Sequence, residues 1–426
     1  MVRAVNHRSL DDTLQLDRDA GLHLTYCTNI HPGSGWPAVN ANIRQYAPAL
    51  KGRLSPARPF GLGLRLSAQE ARELLAGGLL EELHAYLQSS GLYVALINGF
   101  PYGPFHNTPV KADVYAPDWQ TDARVEYTRD LITILAKLLP RGVDGGVSTA
   151  PLTYKPWMPA AGADAMRVMT LNVARIAAAL VRAHRDHGAF IPLDIEPEPD
   201  CLLETSSETI DFFERWLLPV GGPAIASELG LTSDEAQSAL LEHIQVCFDC
   251  CHFAVEYEDP ADALNRLHRS GIRVGRVQLS SAIDVAVPAL AKDRERIVQR
   301  LRPFADTTYL HQVIERQNGA LTHFPDLDDA LSSAPNAAGH GVGREWRIHF
   351  HVPLFTQNYD GLSSTQDYVR RVIDTAVRAR FTAHLEIETY TWDVLPDALK
   401  FDLLESIHRE YEWVLSTYRT ASSSNR

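Results

Sequence analysis

The stretch FIPLDIEPE, residues 190–198, places acidic side chains at alternate positions of a short apolar run. The stretch TAHLEIETY, residues 382–390, repeats the same order of apolar residue, acid, apolar residue and Glu. Successive side chains of a β-strand point to opposite faces, so the acids within each stretch share one face. Both stretches therefore predict strands that direct carboxylates to one side of a sheet.

Seven further apolar or β-branched runs have the length of strands, and amphipathic helical segments alternate with them along most of the chain. The nine predicted strands are residues 23–29, 60–66, 92–99, 144–151, 190–198, 244–252, 272–281, 346–355 and 382–390. No Gly-rich G-x-G-x-x-G turn follows the first strand, which favours a closed barrel over an open nucleotide-binding sheet. The predicted fold class is α/β, a (β/α)8 TIM barrel with long βα loops. A barrel needs eight strands, and the pattern does not decide which of the nine lies outside it.

Helix starts are recognisable at three places. Ser67 precedes AQEARELL and is followed three residues later by Glu70, which is a capping-box pattern. Asp118 precedes a helical segment at 119–139, and Ser364 precedes TQDYVRRVIDTAVRARF.

We expect one barrel domain at residues 21–420, after an N-terminal extension at 1–20 and before a disordered tail at 421–426. The segment at about 305–345 interrupts the strand–helix alternation, which indicates an insertion. The Asn-Gly pair at 318–319 predicts a β-hairpin within that insertion.

The composition excludes several classes of protein. With 426 residues, 45% of them hydrophobic, the chain is long enough for a large folded domain. Its formal net charge of −13 disfavours nucleic acid and anionic lipid as partners. The polar first twenty residues and the lack of a long apolar run predict a cytoplasmic protein without direct membrane insertion. A small neutral or polar ligand fits this composition better.

The five cysteines predict free thiols and not a disulfide framework, because three of them are crowded at 247–251. Cys247 and Cys250 lie three apart in a strand-like run, so their side chains point to opposite faces. This argues against a zinc knuckle at the C-x-x-C motif.

Unusual polar residues are concentrated where the predicted strands end, and in a barrel these ends share one face. Buried carboxylates need compensation, and a bound divalent cation such as Mn²⁺, Mg²⁺, Co²⁺ or Zn²⁺ would supply it for Glu196, Asp249 and Glu388. The alternative is that these acids pair with basic residues of the barrel interior, for which Arg65 and Lys155 are available.

His349 and His351 are two residues apart in a strand-like run, so their imidazoles point to the same side and can converge on one ion or ligand. His252 follows Asp249 by three residues and is better placed to touch substrate. Aromatic side chains of the same loops could stack on a polyol or simply pack the loops. The candidate substrate-binding residues are His31, Asn98, His106, Lys155, His252, His349, Tyr390 and Trp392.

Five long motifs, YCTNIHPGSGW, INGFPYGPFHNTPVKADVYAPDW, LDIEPEPDCLLE, VCFDCCHFAVEYE and RIHFHVPLF, resemble the metabolite traffic protein EboE family of xylose-isomerase-like TIM barrels. The resemblance extends from about residue 21 to residue 417. It implies a metal held by Glu196, Asp249 and Glu388, with His252 near the substrate. Where related sugar epimerases place a metal-binding His, this chain has Gln278, a weaker ligand, and His351 is the other possible fourth ligand.

The resemblance also implies a small-molecule polyol, sugar or cyclitol as ligand, in a pathway that makes and exports a metabolite. The leading hypothesis is a metal-dependent isomerase or epimerase in which Glu196 and Glu388 move the proton as catalytic residues. A carrier that binds the metabolite without turnover is the alternative, favoured by Gln278. A metal-dependent hydrolase is a further alternative with the same ligands.

Overall fold

The structure, a computed structural model, describes residues 15–17, 21–104, 106, 109–158, 162–333 and 343–424. Within these residues the strands are β1 (Gln15–Asp17), β2 (Leu22–Tyr26), β3 (Phe60–Arg65), β4 (Leu92–Asn98), β5 (Gly146–Thr149), β6 (Leu193–Ile195), β7 (Ile244–Asp249), β8 (Val274–Leu279), β9 (Ile283–Val287), β10 (Val313–Gln317), β11 (Ala320–Phe324), β12 (Arg344–Ile348), β13 (Asn358–Tyr359), β14 (Leu362–Ser364) and β15 (His384–Ile387).

The α-helices of the same part of the chain alternate with the barrel strands. They are α1 (Trp36–Leu54), α2 (Ala68–Leu75), α3 (Leu79–Ser90), α4 (Asp122–Leu138), α5 (Ala163–His187), α6 (Ser206–Phe212), α7 (Gly222–Leu229), α8 (Ser233–His243), α9 (Cys250–Val255), α10 (Pro260–Arg269), α11 (Ala291–Leu301), α12 (Leu327–Ser333), α13 (Gln366–Ala379) and α14 (Leu403–Ser424). A π-helical segment, Phe213–Gly221, connects α6 to α7. None of the described helices is long and apolar enough to cross a membrane.

Eight strands form a parallel barrel in the order β2, β15, β8, β7, β6, β5, β4 and β3. A parallel bridge between Cys27 and Gly63 joins the two ends of this sheet. Helices follow the strands and bury apolar side chains against them in one large core. The prediction of a (β/α)8 TIM barrel is therefore confirmed.

The strand predicted at residues 346–355 is the one that lies outside the barrel, in a second sheet. Its core, β12, lies between β10 and β9 in an antiparallel sheet of order β11, β10, β12, β9, β14 and β13. This inserted sheet occupies residues 283–364, between barrel strand β8 and helix α13, so it extends beyond the predicted insertion at 305–345 on both sides.

The predicted hairpin in the inserted sheet is confirmed. Gln317 pairs with Ala320 across a two-residue turn. Both turn residues have positive φ, 51° at Asn318 and 83° at Gly319, as a type I′ turn requires.

The helix starts agree with the sequence in part. Ser67 and Glu70 form the predicted capping box of α2. Helix α4 begins after Thr121 and not after Asp118, because the Thr121 side chain accepts the backbone N–H of Arg124. Helix α14 continues to Ser424, into the segment predicted to be a disordered tail, and residues 425–426 lie outside the described residues.

Gly63 permits the close packing of the barrel interior. A Cβ at this position would lie 1.5 Å from Oε1 of Glu386 and 3.2 Å from the carbonyl oxygen of Tyr26.

We expect Gly63→Ala to lower the free energy of unfolding by about 3 kcal/mol, measured by urea denaturation, because the buried carboxylate of Glu386 must move. Gly52→Ala in α1 is the matched control, since a Cβ there meets no atom within 4 Å. Equal stability of the two variants would contradict this account.

Candidate metal centre at the barrel mouth

Three carboxylates converge at the carboxyl ends of the barrel strands. Glu196 directly follows β6, Asp249 ends β7, and Glu388 directly follows β15. One carboxylate oxygen of each lies within 4.8 Å of the others, and all three side chains are buried. Like charges at this separation repel strongly in a buried site, so the cluster needs a compensating positive charge.

Asp194 of β6 and Glu386 of β15, each two residues before a carboxylate of the cluster, have such a positive charge beside them. Arg276 of β8 donates from Nε to Oδ2 of Asp194 at 3.0 Å and from Nη1 to Oε2 of Glu386 at 3.2 Å, and all three side chains are fully buried. Burial raises the pKa of Asp194 to about 7 even though Arg276 opposes the shift. Asp194 and Glu386 are therefore paired with Arg276 inside the barrel, whereas the alternative considered from the sequence concerned Glu196, Asp249 and Glu388.

The basic residues considered from the sequence lie elsewhere. Arg65 donates to Oε2 of Glu70 at 3.1 Å. Lys155 has Nζ 2.7 Å from Oε2 of Glu204 and 3.3 Å from Oε1 of Glu208. Among the described residues, no lysine or arginine forms a salt bridge with the three carboxylates at the mouth.

Neighbouring side chains orient two of the three carboxylates. Oε1 of Glu388 accepts from the amides of Asn29 at 2.8 Å and Asn98 at 2.9 Å. Oδ1 of Asp249 accepts from the Ser280 hydroxyl at 2.7 Å and from the backbone N–H of His252 at 2.9 Å.

Other oxygens of the cluster are buried without a partner. Within the described residues, Oε2 of Glu196 and Oδ2 of Asp249 accept no hydrogen bond. Buried polar atoms are nearly always satisfied, so such orphaned acceptors at one place are a feature of ion-binding sites. The donor set fits a divalent cation.

His351 presents a nitrogen to the same place. Its Nδ1–H donates to the backbone carbonyl of Glu388 at 3.0 Å, which leaves Nε2 as a bare acceptor. Nε2 is buried and has no partner among the described residues. A ring nitrogen of His351 lies within 4.8 Å of Asp249, and this arrangement, one nitrogen on a carbonyl and the other open, is typical of metal-binding histidines.

Gln278, the other residue considered for the fourth position, faces a thiol. Its Oε1 accepts from Sγ of Cys247 at 3.0 Å. The side-chain oxygen of Gln278 thus already accepts one hydrogen bond, whereas Nε2 of His351 has no partner among the described residues.

Burial and mutual repulsion govern the ionisation of the cluster. Burial raises the pKa of Glu196 well above its ordinary value, and Asp249 and Glu198 raise it further. Burial raises the pKa of Glu388 in the same way, reinforced by Glu196 and Asp249. Burial also acts to raise the pKa of Asp249, but His252 and His351 outweigh it and hold that pKa below its usual range. Burial and mutual repulsion therefore both favour the protonated forms of Glu196 and Glu388.

Two further histidines lie beside the carboxylates. His252, in α9, has Nε2 3.2 Å from Nε2 of His349, which follows β12 of the inserted sheet. His349 and His351 lie just beyond the strand and not within it, yet their ring centroids are 5.5 Å apart, so both reach the mouth. The Tyr390 hydroxyl is 3.3 Å from Nε2 of His349.

A cavity that opens to solvent lies over these groups. Of the predicted substrate-binding residues, Asn98, His252, His349 and Tyr390 line it, as do Glu196 and Glu388. The described lining does not include His31, His106, Lys155 or Trp392.

Those four residues have other surroundings. His31 stacks on Tyr46 with ring centroids 4.3 Å apart, and burial lowers its pKa to about 3. His106 lies 2.5 Å from the carbonyl oxygen of Asn29 through Nε2. Trp392 packs into the main hydrophobic core, and Lys155 is held by the acids described above.

Several cavity residues were not selected from the sequence. Glu198 lies two residues after Glu196 and faces the cavity, which the alternation of the strand indicates. Tyr309 comes from the inserted segment, and Tyr115 comes from the long loop after β4. No sequence spacing predicts these two, because their approach depends on how the loops fold over the mouth.

No family model matches this chain, and no curated protein sequence matches it. Several solved structures have a similar backbone fold. A xylose isomerase-like TIM barrel protein from Mycobacterium smegmatis in complex with magnesium is 12% identical, with a TM-score of 0.46 over 94% of this chain and 97% of that one. A D-tagatose 3-epimerase-like protein is 11% identical, with a TM-score of 0.46 over 94% and 98%. The IOLI protein with a bound zinc atom is 11% identical, with a TM-score of 0.43 over 93% and 98%. At these identities the likeness concerns the fold alone.

Replacing Arg276 by methionine leaves Asp194 and Glu386 buried without a cation. We expect Arg276→Met to lower the free energy of unfolding by about 3–5 kcal/mol near pH 7. The loss should be smallest near pH 5 and grow toward pH 8. Without Arg276, Asp194 and Glu386 are tolerated in the core while they are protonated. As pH rises they must either ionise in the core or keep a proton that the unfolded chain would release, and both cost stability. Urea denaturation at several pH values measures it.

Arg273→Met is the control for this variant, because Arg273 is exposed and only 3.9 Å from Glu242 in a weak surface pair. Its expected effect is under about 0.5 kcal/mol. A similar loss in both variants, or a loss in Arg276→Met that does not change with pH, would show that the buried charges are not balanced by Arg276.

Proposed function

We propose that this protein is a divalent-metal-dependent isomerase or epimerase of a sugar or cyclitol. The observation that carries the proposal is the buried cluster of Glu196, Asp249 and Glu388, which has no lysine or arginine partner in the described chain and opens into the cavity. Asp194 and Glu386, two residues before Glu196 and Glu388, form ion pairs with Arg276. The carboxylates of the cluster do not, and we assign them to metal binding.

We assign Glu196, Asp249, Glu388 and His351 as the residues that hold the metal. Three carboxylates and one imidazole suit Mn²⁺, Mg²⁺, Co²⁺ or Zn²⁺, and the single nitrogen ligand favours the transition metals among them. When bound, such an ion polarises neighbouring carbonyl and hydroxyl oxygens of a substrate and makes the adjacent C–H more acidic.

Glu196 and Glu388 are the groups that move the proton. In the proposed step, one carboxylate takes the proton from the carbon next to the substrate carbonyl, and the electron pair of that C–H bond forms an enediolate. The other carboxylic acid, or the same one, returns a proton to the enediolate to give the isomer. Burial and the neighbouring acids raise the pKa of both groups, which favours proton uptake by each carboxylate.

The surrounding side chains determine which ligand fits. Asn98 and Asn29 offer amide groups, Tyr390 and Tyr309 offer hydroxyls, and Phe100 offers an apolar wall in the same cavity. Hydroxyl-rich rings present both polar edges and C–H faces, which this lining matches. A small polyol, sugar or cyclitol is therefore the proposed substrate class.

The motif resemblance to the EboE family supports placing this activity in a pathway that makes and exports a small metabolite. The competing proposal is a carrier that binds the same ligand without turning it over. The carrier was favoured because Gln278 stands where related epimerases have a metal-binding His. Nε2 of His351 can serve as the fourth ligand instead, which weakens that argument.

The test is deuterium uptake in D₂O by ketohexoses and ketocyclitols with the Mg²⁺- or Zn²⁺-loaded protein, followed by ¹H NMR. We expect exchange at the carbon next to the carbonyl, and a loss of at least about 100-fold in Glu196→Gln and Glu388→Gln. Chromatography of the products detects isomerisation by hydride shift, which leaves no deuterium. Asp249→Asn should bind less metal.

Glu242→Gln is the control, since Glu242 is exposed and distant from the cavity lining. Stoichiometric ligand binding without exchange or isomer formation would favour the carrier. Unchanged metal content in Glu196→Gln and Asp249→Asn would refute the assigned ligands.

A further inference from the structure

Two buried imidazoles face each other through their Nε2 atoms beside the three carboxylates. Nε2 of His252 and Nε2 of His349 are 3.2 Å apart, and both rings are buried. A contact of this length needs a proton on one nitrogen or a cation between them, since two lone pairs repel. The other nitrogen of each ring shows where the hydrogen of the neutral imidazole lies, and therefore whether the two Nε2 atoms face each other with lone pairs.

His252 carries its hydrogen on the far nitrogen. Its Nδ1 lies 2.9 Å from the backbone carbonyl oxygen of Pro197. A carbonyl oxygen can only accept, so Nδ1 must be the protonated nitrogen. Nε2 of the neutral ring is then a bare acceptor.

His349 is fixed in the same tautomer by a longer network. Its Nδ1 lies 2.7 Å from Oε1 of Gln312. The orientation of this amide is set by its other end, because Nε2 of Gln312 donates to the carbonyl oxygen of Pro199 at 3.1 Å. Oε1 of Gln312 is therefore an acceptor, Nδ1 of His349 is its donor, and Nε2 of the neutral His349 ring carries a lone pair and no hydrogen.

From these two tautomers we infer a second metal site, in which a divalent transition-metal ion such as Zn²⁺ or Co²⁺ is bound by Nε2 of His252 and Nε2 of His349, with Glu198 as the third ligand. A carboxylate oxygen of Glu198 and a ring nitrogen of each histidine lie within 4.8 Å of one another. The Tyr115 hydroxyl donates to Oε1 of Glu198 at 2.8 Å and orients that carboxylate.

The separation of the nitrogens agrees with shared coordination. Two nitrogens each about 2.0–2.1 Å from one ion are about 2.9 Å apart at a right angle and about 3.3 Å apart at the tetrahedral angle. The observed 3.2 Å lies between these values. The Tyr390 hydroxyl, 3.3 Å from Nε2 of His349, competes for the single lone pair of that nitrogen and does not supply a donor to Nε2 of His252.

The two sites differ in their preferred ions. The site of Glu196, Asp249 and Glu388 is rich in oxygen, whereas the second site has two imidazoles, which select softer ions of the Zn²⁺, Co²⁺ and Ni²⁺ class. The inference goes beyond the proposed function and does not depend on it, because it rests on the tautomers of His252 and His349 and on no reaction.

The experiment counts metal ions on the full chain after chelator treatment and titration with Zn²⁺, by mass spectrometry of the dialysed protein. We expect two ions per chain for the wild type, one for His349→Phe, one for Glu196→Gln, and two for His106→Phe. His106 is the matched control because it is a buried mouth imidazole whose Nε2 lies on the carbonyl of Asn29 and whose Nδ1 lies 3.2 Å from the Tyr309 hydroxyl.

Crystals of the Zn²⁺-loaded wild type provide a test that needs no variant. We expect an anomalous scattering peak between His252 and His349, separate from one at the carboxylates. A single ion per chain that His349→Phe retains, or no peak between the imidazoles, would overturn the second site and leave a shared proton as the link. Two ions without deuterium exchange would overturn the proposed isomerase while supporting this site.

Discussion

Charge neutralisation inside the barrel is the constraint on which the rest of the structure depends. Arg276 lies between Asp194 and Glu386 in full burial, and without it two carboxylates would remain unpaired in the core, at a cost of several kcal/mol each. Burial by itself lowers the pKa of Arg276, but the two acids raise it, so the guanidinium stays charged. Glycines make space for this layer: an added Cβ would lie 1.5 Å from Glu386 at Gly63, 2.5 Å from Asp194 at Gly146 and 2.0 Å from Asp194 at Gly275.

This charged layer distinguishes two kinds of acid that look alike in the sequence. Asp194 and Glu386 are balanced by an arginine and hold the barrel together. Glu196 and Glu388 lie two residues further along the same strands, on the same face, and no arginine or lysine of the described chain pairs with them. A difference of two residues along the chain, which is one step on the same face, separates an internal ion pair from an open carboxylate site.

The inserted sheet supplies what the barrel strands lack. The barrel provides carboxylates and amides at its mouth, whereas His349 and His351 arrive from the chain that leaves β12. Two backbone hydrogen bonds hold this segment over the mouth, from His349 to the carbonyl of Gln312 and from Val352 to the carbonyl of Ser281. The imidazoles are therefore positioned by a sheet that lies outside the barrel.

Much of the fold was predictable because it depends on local patterns. The alternation of strand and helix, the Ser67–Glu70 capping box and the hairpin turn at 318–319 each follow from short stretches of chain. The shared face of Asp194 and Glu196 follows from the two-residue period of a strand. The partner of each acid was not predictable, since Arg276 belongs to another strand and its reach depends on barrel closure.

The sequence by itself determined the eight barrel strands, their order along the chain and the acids that they direct to one side, because these depend on neighbouring residues. The tertiary structure decided which acids are paired and which strand lies outside the barrel. It also decided that His351 offers an open nitrogen while the oxygen of Gln278 accepts from Cys247. Those outcomes depend on contacts between residues distant in the chain, so only the closed barrel and the inserted sheet bring the groups within hydrogen-bonding distance.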